Sequence, residues 1–153
     1  MSRYTAVVEW ALREGEDFAS GRYSRAHTVS FDGGVTIAAS SSPHVVPKPW
    51  SDEAAVDPEE MLVAALSNCH MMTFLHVARL AKYVVVAYRD EPEGVLEKTP
   101  EGRIAMTRVT LRPSIEYAGA IPDAAAAEAL HHAAHEGCFI ANSVTTKVTV
   151  EPR

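Results

Sequence analysis

The hydrophobic and polar positions along the chain fall into a few readable periods. Tyr4, Ala6, Val8, Trp10 and Leu12 alternate with Thr5, Val7, Glu9 and Ala11, the period of a strand with one face buried, and turn residues follow at 15–17. Val29 and Phe31 lead into Asp32-Gly33-Gly34, and Val35, Ile37 and Ala39 lead out. That pattern predicts a hairpin, because glycine accepts the positive φ a tight turn requires. Carrying the period-two face back from Phe31 and Val29 turns His27, Arg25 and Tyr23 inward and Arg22 outward. Residues 40–56 carry Pro43, Pro47 and Pro49 among Val45, Val46 and Trp50, too much proline for a helix or a central strand. They read as a plain surface crossover or, through Trp50 and the valines, as one wall of an apolar pocket.

Asp57-Pro58-Glu59-Glu60 is a strong helix start. Asp57 serves as N-cap, Pro58 fits the first helical position, the acids face the positive end of the dipole, and Glu60 is placed to close a capping box. The helix is predicted to run to about Lys82. Residues 84–95 and 103–117 then predict two strands around Thr99-Pro100-Glu101-Gly102. The second changes its apolar parity between Met106 and Val109, which predicts a bulge. A second, Ala-rich helix is expected over about 123–136, stopped by Gly137, and Val144, Thr146, Val148 and Val150 alternate as a closing strand. With no internal repeat and no dividing linker, the prediction is an α+β fold in a single domain, residues 1–153.

Residues 61–78 run without a formal charge, but they include Ser67, Asn68, Cys69, His70, Thr73 and His76, which argues against a membrane span. A helix apolar around its whole circumference must be wrapped by protein on every side. The expectation is therefore a long buried central helix, antiparallel sheets packed around it, and a partner subunit.

Composition narrows the function classes. The chain has 153 residues, 47% apolar and 22% charged, and a net charge of −6 with no basic run. This disfavours nucleic acid or an anionic membrane as the main partner and favours a small molecule. Residues 1–10 lack a charged start followed by an apolar stretch, and two cysteines do not make a secreted disulfide framework. The expected location is the cytoplasm, where a cysteine pair is more often catalytic, sensing or metal-binding than structural.

Cys69 lies in the middle of the predicted long helix and Cys138 just beyond the second. Three readings stand side by side. The thiols can be inert core residues in a protein that binds a small ligand in its apolar pocket. His131, His132, His135 and Cys138 form H-H-x-x-H-x-x-C, with His131 and His135 at a zinc-chelating i, i+4 spacing, although Gly137 ends the helix before Cys138. The third reading is redox chemistry.

The third draws on a resemblance. Asp57-Pro58-Glu59-Glu60-Met61-Leu62, with Ala64-Ala65, Ser67 and Cys69 after it, and a second cysteine in Ala134-His135-Glu136-Gly137-Cys138-Phe139-Ile140-Ala141-Asn142, resemble the osmotically inducible protein C and organic hydroperoxide resistance family (OsmC/Ohr). The order of elements is similar over nearly the whole chain. The resemblance implies an OsmC-like fold and a thiol-dependent peroxidase that reduces organic hydroperoxides and works as an intertwined homodimer. It implies no cofactor or metal, and a dithiol reductant, possibly lipoyl-type. By motif position it implies Cys69 as the peroxidatic and Cys138 as the resolving cysteine, with a supporting Arg and Glu. The Glu falls on Glu59. The arginine column falls on Ser24, between Arg22 and Arg25, and strand parity selects Arg25. His70, directly after the cysteine, departs from the apolar residue expected there and marks a divergent branch.

The chemistry sets its own requirements. A thiol with a pKa of ~8.5 is only a few per cent thiolate at neutral pH, mid-helix placement forfeits the dipole, and burial raises the pKa further. A guanidinium within ~4 Å supplies up to about 4 kcal/mol at an effective dielectric of 20, before desolvation, so an arginine suffices. Glu59 would hold the guanidinium by a bidentate pair. Ten residues of helix, however, put ~15 Å of rise between Glu59 and Cys69. Either the arginine bridges that length, or an antiparallel partner helix crossing near Ala64 and Ala65 brings its own Glu59 to each Cys69.

Overall fold

The computed structural model describes residues 1–153, which form two compact units, Met1–Met61 and Leu62–Arg153. In the first unit, β1 (Ala6–Glu9), β2 (His27–Phe31) and β3 (Thr36–Ala39) make an antiparallel sheet in that order. The β2–β3 hairpin turns at the predicted site, with Gly34 at φ +86°. Val29 is buried, but Phe31, expected on the same buried face, is 43% exposed. The predicted strand over 4–12 shortens to four residues, all exposed, because Trp10 leaves the ladder and its Nε1–H donates to the Ser24 carbonyl at 2.8 Å. Residues 40–56 are irregular, as their prolines predict. The segment is closed at its ends by Ser40 N–H to the Val56 carbonyl and Val56 N–H to the Ala38 carbonyl, both 3.1 Å.

The helix α1 (Pro58–Leu80) opens with the predicted capping box: the Asp57 carboxylate accepts from Glu60 N–H at 2.7 Å, and the Glu60 carboxylate accepts from Asp57 N–H at 3.1 Å. It stops two residues before the expected Lys82, which adopts φ 68°. Tyr83 N–H then bonds to the Ala78 carbonyl and Lys82 N–H to the Arg79 carbonyl, a Schellman closure.

The two long strands expected after α1 are each broken in two: β4 (Val84–Arg89), β5 (Glu93–Lys98), β6 (Ile104–Leu111) and β7 (Ser114–Ala118). Pro92 and Pro113 sit at the breaks and cannot donate to a ladder. Asp90 fills the corner instead, its carboxylate accepting from Arg112 N–H at 2.6 Å and from the Ser67 hydroxyl. The bulge lies where the parity change places it: Val95 pairs with Arg108 and Leu96 with Met106, so Thr107 is the extra residue. α2 (Ala124–Glu136) is capped by the Asp123 side chain on Ala126 N–H at 2.8 Å. The closing strand β8 (Lys147–Val150) pairs parallel to β6, so the sheets are β4–β7 and β5–β6–β8.

In the second unit α1 buries one stripe, Leu66, Cys69, His70, Phe74 and Ala78. Phe74 and Ala78 pack with Leu130 and Ala134 of α2, while Leu66 packs with Val109 and Leu111 of β6. The opposite stripe, with Ala64, Asn68, Met72, Leu75 and Arg79, is exposed. The complete wrapping expected for this helix is therefore not achieved within one chain, because one short helix and two small sheets cover only one side of it. Gly137 does end α2, but at φ −85° it needs no left-handed freedom. Its missing Cβ matters more: one would sit 2.9 Å from Thr73 Cγ2, so glycine lets the end of α2 lie against α1.

Candidate active site

That close approach brings the two cysteines together. Both are free thiols, and their side chains are close neighbours although they stand 69 positions apart in the chain. Cys138 is 1% exposed. Burial, together with the neighbouring Cys69 side chain, pushes its pKa up to about 11, partly offset by Ala141 N–H donating to its Sγ at 3.4 Å. Cys69 is 9% exposed and opens on a cavity of about 430 Å³ lined by Met72, Thr73, His76, Val77 and Phe139. The pair is thus asymmetric, one thiol sealed and kept protonated, the other facing a largely apolar space.

Beside the thiols lies a pair that the sequence reading does not foresee. His70, 1% exposed, and His131, 6% exposed, stack with ring centroids 5.5 Å apart and planes 8° apart, and His70 Nε2 meets His131 Nδ1 at 3.2 Å. The Phe74 ring covers His131 at 4.5 Å. His131 thus belongs to the core, and the zinc spacing does not assemble: its Nδ1 faces His70, the Cys138 thiol faces Cys69, and no three metal-ligating side chains converge.

Burial lowers the His70 pKa from 6.5 to about 4, helped by the neighbouring His131 and His135. Burial lowers His131 too, opposed by Asp90. The unfolded chain therefore takes up a proton at pH ~6.5 that the folded chain refuses until pH ~4. Stability present above that window is lost as pH falls through it, by up to about 3 kcal/mol for His70. Urea midpoints measured from pH 7 to 4 should fall accordingly, and fall less in a His70→Leu/His131→Leu double variant. Equal pH dependence of the two proteins would contradict this.

In the first unit, Arg25 and Glu59 line one cavity of about 380 Å³ with Trp10, Phe18, Tyr23 and His27. Tyr23, Arg25 and His27 share this face as the parity predicts, although only His27 belongs to a strand. Arg25 lies with its guanidinium carbon 3.7 Å from the Tyr23 ring centre, its Nη1 donates to the Gly21 and Tyr23 carbonyls, and its N–H donates to the Trp50 carbonyl at 2.9 Å. The expected bidentate pair with Glu59 is absent in the single chain, where Nη1 of the guanidinium turns to backbone carbonyls instead. Trp50 serves through its backbone; the aromatic wall is made instead by Trp10, Phe18 and Tyr23, packed at 4.7–5.9 Å. Arg22 is the outward residue, in a salt bridge to Asp17 at 3.0 Å with both side chains largely solvated.

The chain is similar to known proteins. The model of the OsmC-like protein family matches residues 51–153. The chain is 50% identical to an OsmC-like protein of unknown function from Vibrio cholerae, with 100% of both chains covered and a TM-score of 0.97. An organic hydroperoxide resistance protein from Elizabethkingia anophelis shares the fold at 16% identity, covering 99% of this chain and 94% of that one, with a TM-score of 0.71. So does the organic hydroperoxide resistance protein OhrB of Bacillus subtilis, at 22% identity, 97% and 98% coverage and a TM-score of 0.67. No curated protein matches the chain.

Proposed function

The chain belongs to the OsmC-like protein family, and from that premise we propose that it is a thiol-dependent peroxidase acting on organic hydroperoxides. The observation that carries this reading is the thiol pair: Cys69 open to an apolar cavity and beside a sealed, protonated Cys138. The Cys69 thiolate attacks the terminal oxygen of ROOH, the O–O bond breaks, the alkoxide takes a proton and leaves as ROH, and Cys69 becomes a sulfenic acid. Cys138 then attacks that sulfur, its proton leaves with the hydroxyl as water, and a Cys69–Cys138 disulfide forms. A dithiol, lipoyl-type in this reading, reduces it by exchange. Apolar and aromatic cavity walls favour an alkyl or aryl hydroperoxide over hydrogen peroxide. With dithiothreitol or dihydrolipoamide as reductant, the protein should consume cumene hydroperoxide faster than hydrogen peroxide. No consumption of either would reject the reading.

In this reading the active unit is a homodimer. The exposed stripe of α1, with Ala64, Met72 and Leu75 on it, supports an antiparallel helix crossing at Ala64, where a small side chain lets two backbones approach. Such a crossing offers the Arg25 and Glu59 of one chain to the Cys69 of the other, and frees Glu59 from the ~15 Å that separates it from its own Cys69. Replacing Ala64 and Ala65 by Arg should yield a monomer by sedimentation that has lost peroxidase activity. A fully active monomer would contradict the dimeric site.

A further inference from the structure

We propose that the His70–His131 bridge is a positioning pair for disulfide formation: it fixes α1 and α2 in the register at which the Cys69 and Cys138 thiols meet. The proposal takes its biological meaning from the peroxidase reading, but its test does not depend on peroxide. His70 follows Cys69 directly on α1, and His131 lies on the α2 face that continues through Ala134 to Gly137 and Cys138. Most contacts between these two helices are apolar or steric, as where Phe74 meets His131 and Thr73 meets Gly137. Such contacts tolerate sliding. The imidazole bond is the one side-chain hydrogen bond that joins α1 to α2, and it is directional.

The cost of this arrangement points to a geometric task. His70 Nδ1 is buried without a partner, so the bridge is the only polar contact of a ring that an apolar side chain would replace more cheaply. A buried N–H without an acceptor is less tolerable than an unused lone pair, so we assign His70 Nε2–H as donor and His131 Nδ1 as acceptor. The bond then spans the helices one residue from the first thiol and two helical turns from the second.

The step it positions is balanced without peroxide. Oxidised dithiothreitol accepts two electrons and two protons from the Cys69 and Cys138 thiols, giving the intramolecular disulfide and reduced dithiothreitol. The test is the equilibrium constant of that exchange in the full-length chain, read by alkylation and intact mass. His131→Phe should lower it about tenfold, the factor expected for one lost buried hydrogen bond. His131→Asn, whose Oδ1 can accept near the former Nδ1, should restore it to within about threefold. The His70→Leu/His131→Leu double variant orphans no imidazole, so it should fold and still show the loss. If both apolar variants keep the wild-type constant, or if His131→Asn falls as far as His131→Phe, the positioning role is refuted. A wild-type chain that forms no Cys69–Cys138 disulfide in this buffer refutes it as well. A chain that forms the disulfide here but is inert to peroxide leaves the pair in place and removes only the peroxidase reading.

Discussion

Cys69→Ser should consume no hydroperoxide, whereas Cys138→Ser should complete one turnover and stop as a sulfenic acid that dimedone traps. The asymmetry of the two thiols drives this expectation. With its pKa pushed up by burial, Cys138 stays a protonated thiol at neutral pH. It is 1% exposed, so a peroxide cannot reach it directly. Cys69 faces the cavity of about 430 Å³ and is the thiol a substrate can meet. Once Cys69 is a sulfenic acid, the neighbouring Cys138 has its target in contact, and the low thiolate fraction is offset by proximity. Loss of Cys138 therefore removes the second step and spares the first. Mass spectrometry of each variant after one equivalent of cumene hydroperoxide, with dimedone present, checks the assignment. Identical behaviour of the two variants would overturn it.

The second large effect concerns the arginines. Arg25→Ala should slow oxidation of Cys69 by about a hundredfold, while Arg22→Ala should change it by less than about twofold. The Arg25 guanidinium is held in the first-unit cavity by two contacts from Nη1, to the Gly21 and Tyr23 carbonyls, and lies against the Tyr23 ring, while the Arg25 main-chain N–H bonds the Trp50 carbonyl. A guanidinium so fixed loses little entropy on meeting an anion. Arg22 instead spends its charge on Asp17 in open solvent, where an ion pair contributes little. The reaction rate of each variant with cumene hydroperoxide, followed across pH 5–9, separates them. Equal losses in both, or a loss confined to Arg22→Ala, would transfer or dissolve the role. Glu59→Gln, which removes the carboxylate that the dimeric site offers to that guanidinium, should follow Arg25→Ala in direction.

Local signals were the ones legible in the sequence. The capping box of α1, the Gly-Gly hairpin, the Gly137 stop of α2 and the bulge at Thr107 each depend on residues within a few positions of one another, and each is present. The face shared by Tyr23, Arg25 and His27 was also legible, because an extended chain keeps its period even where no ladder bonds it. The long strands were misread as continuous although Pro92 and Pro113 marked the corners. There the hydrophobic run continued through residues that turn the chain, and the Asp90 corner depends on Ser67 and Arg112, both more than twenty positions away. The His70–His131 bridge joins residues 61 positions apart and has no local signature at all. One hint was available: a histidine beside Cys69 where an apolar residue was expected. Gly137 is legible as a helix stop, but its packing against Thr73 depends on which helix lies across it.

The central claim is that Cys69 and Cys138 form one peroxide-reducing couple. The most direct test is a stoichiometric titration of the fully reduced wild-type chain with cumene hydroperoxide, counting free thiols and intact mass together. The account predicts that one equivalent of hydroperoxide yields one equivalent of cumyl alcohol, removes both thiols, and lowers the mass by two hydrogens through a Cys69–Cys138 disulfide. Unchanged thiols after excess hydroperoxide, or a mass gained as oxygen on Cys138 with Cys69 intact, would contradict it.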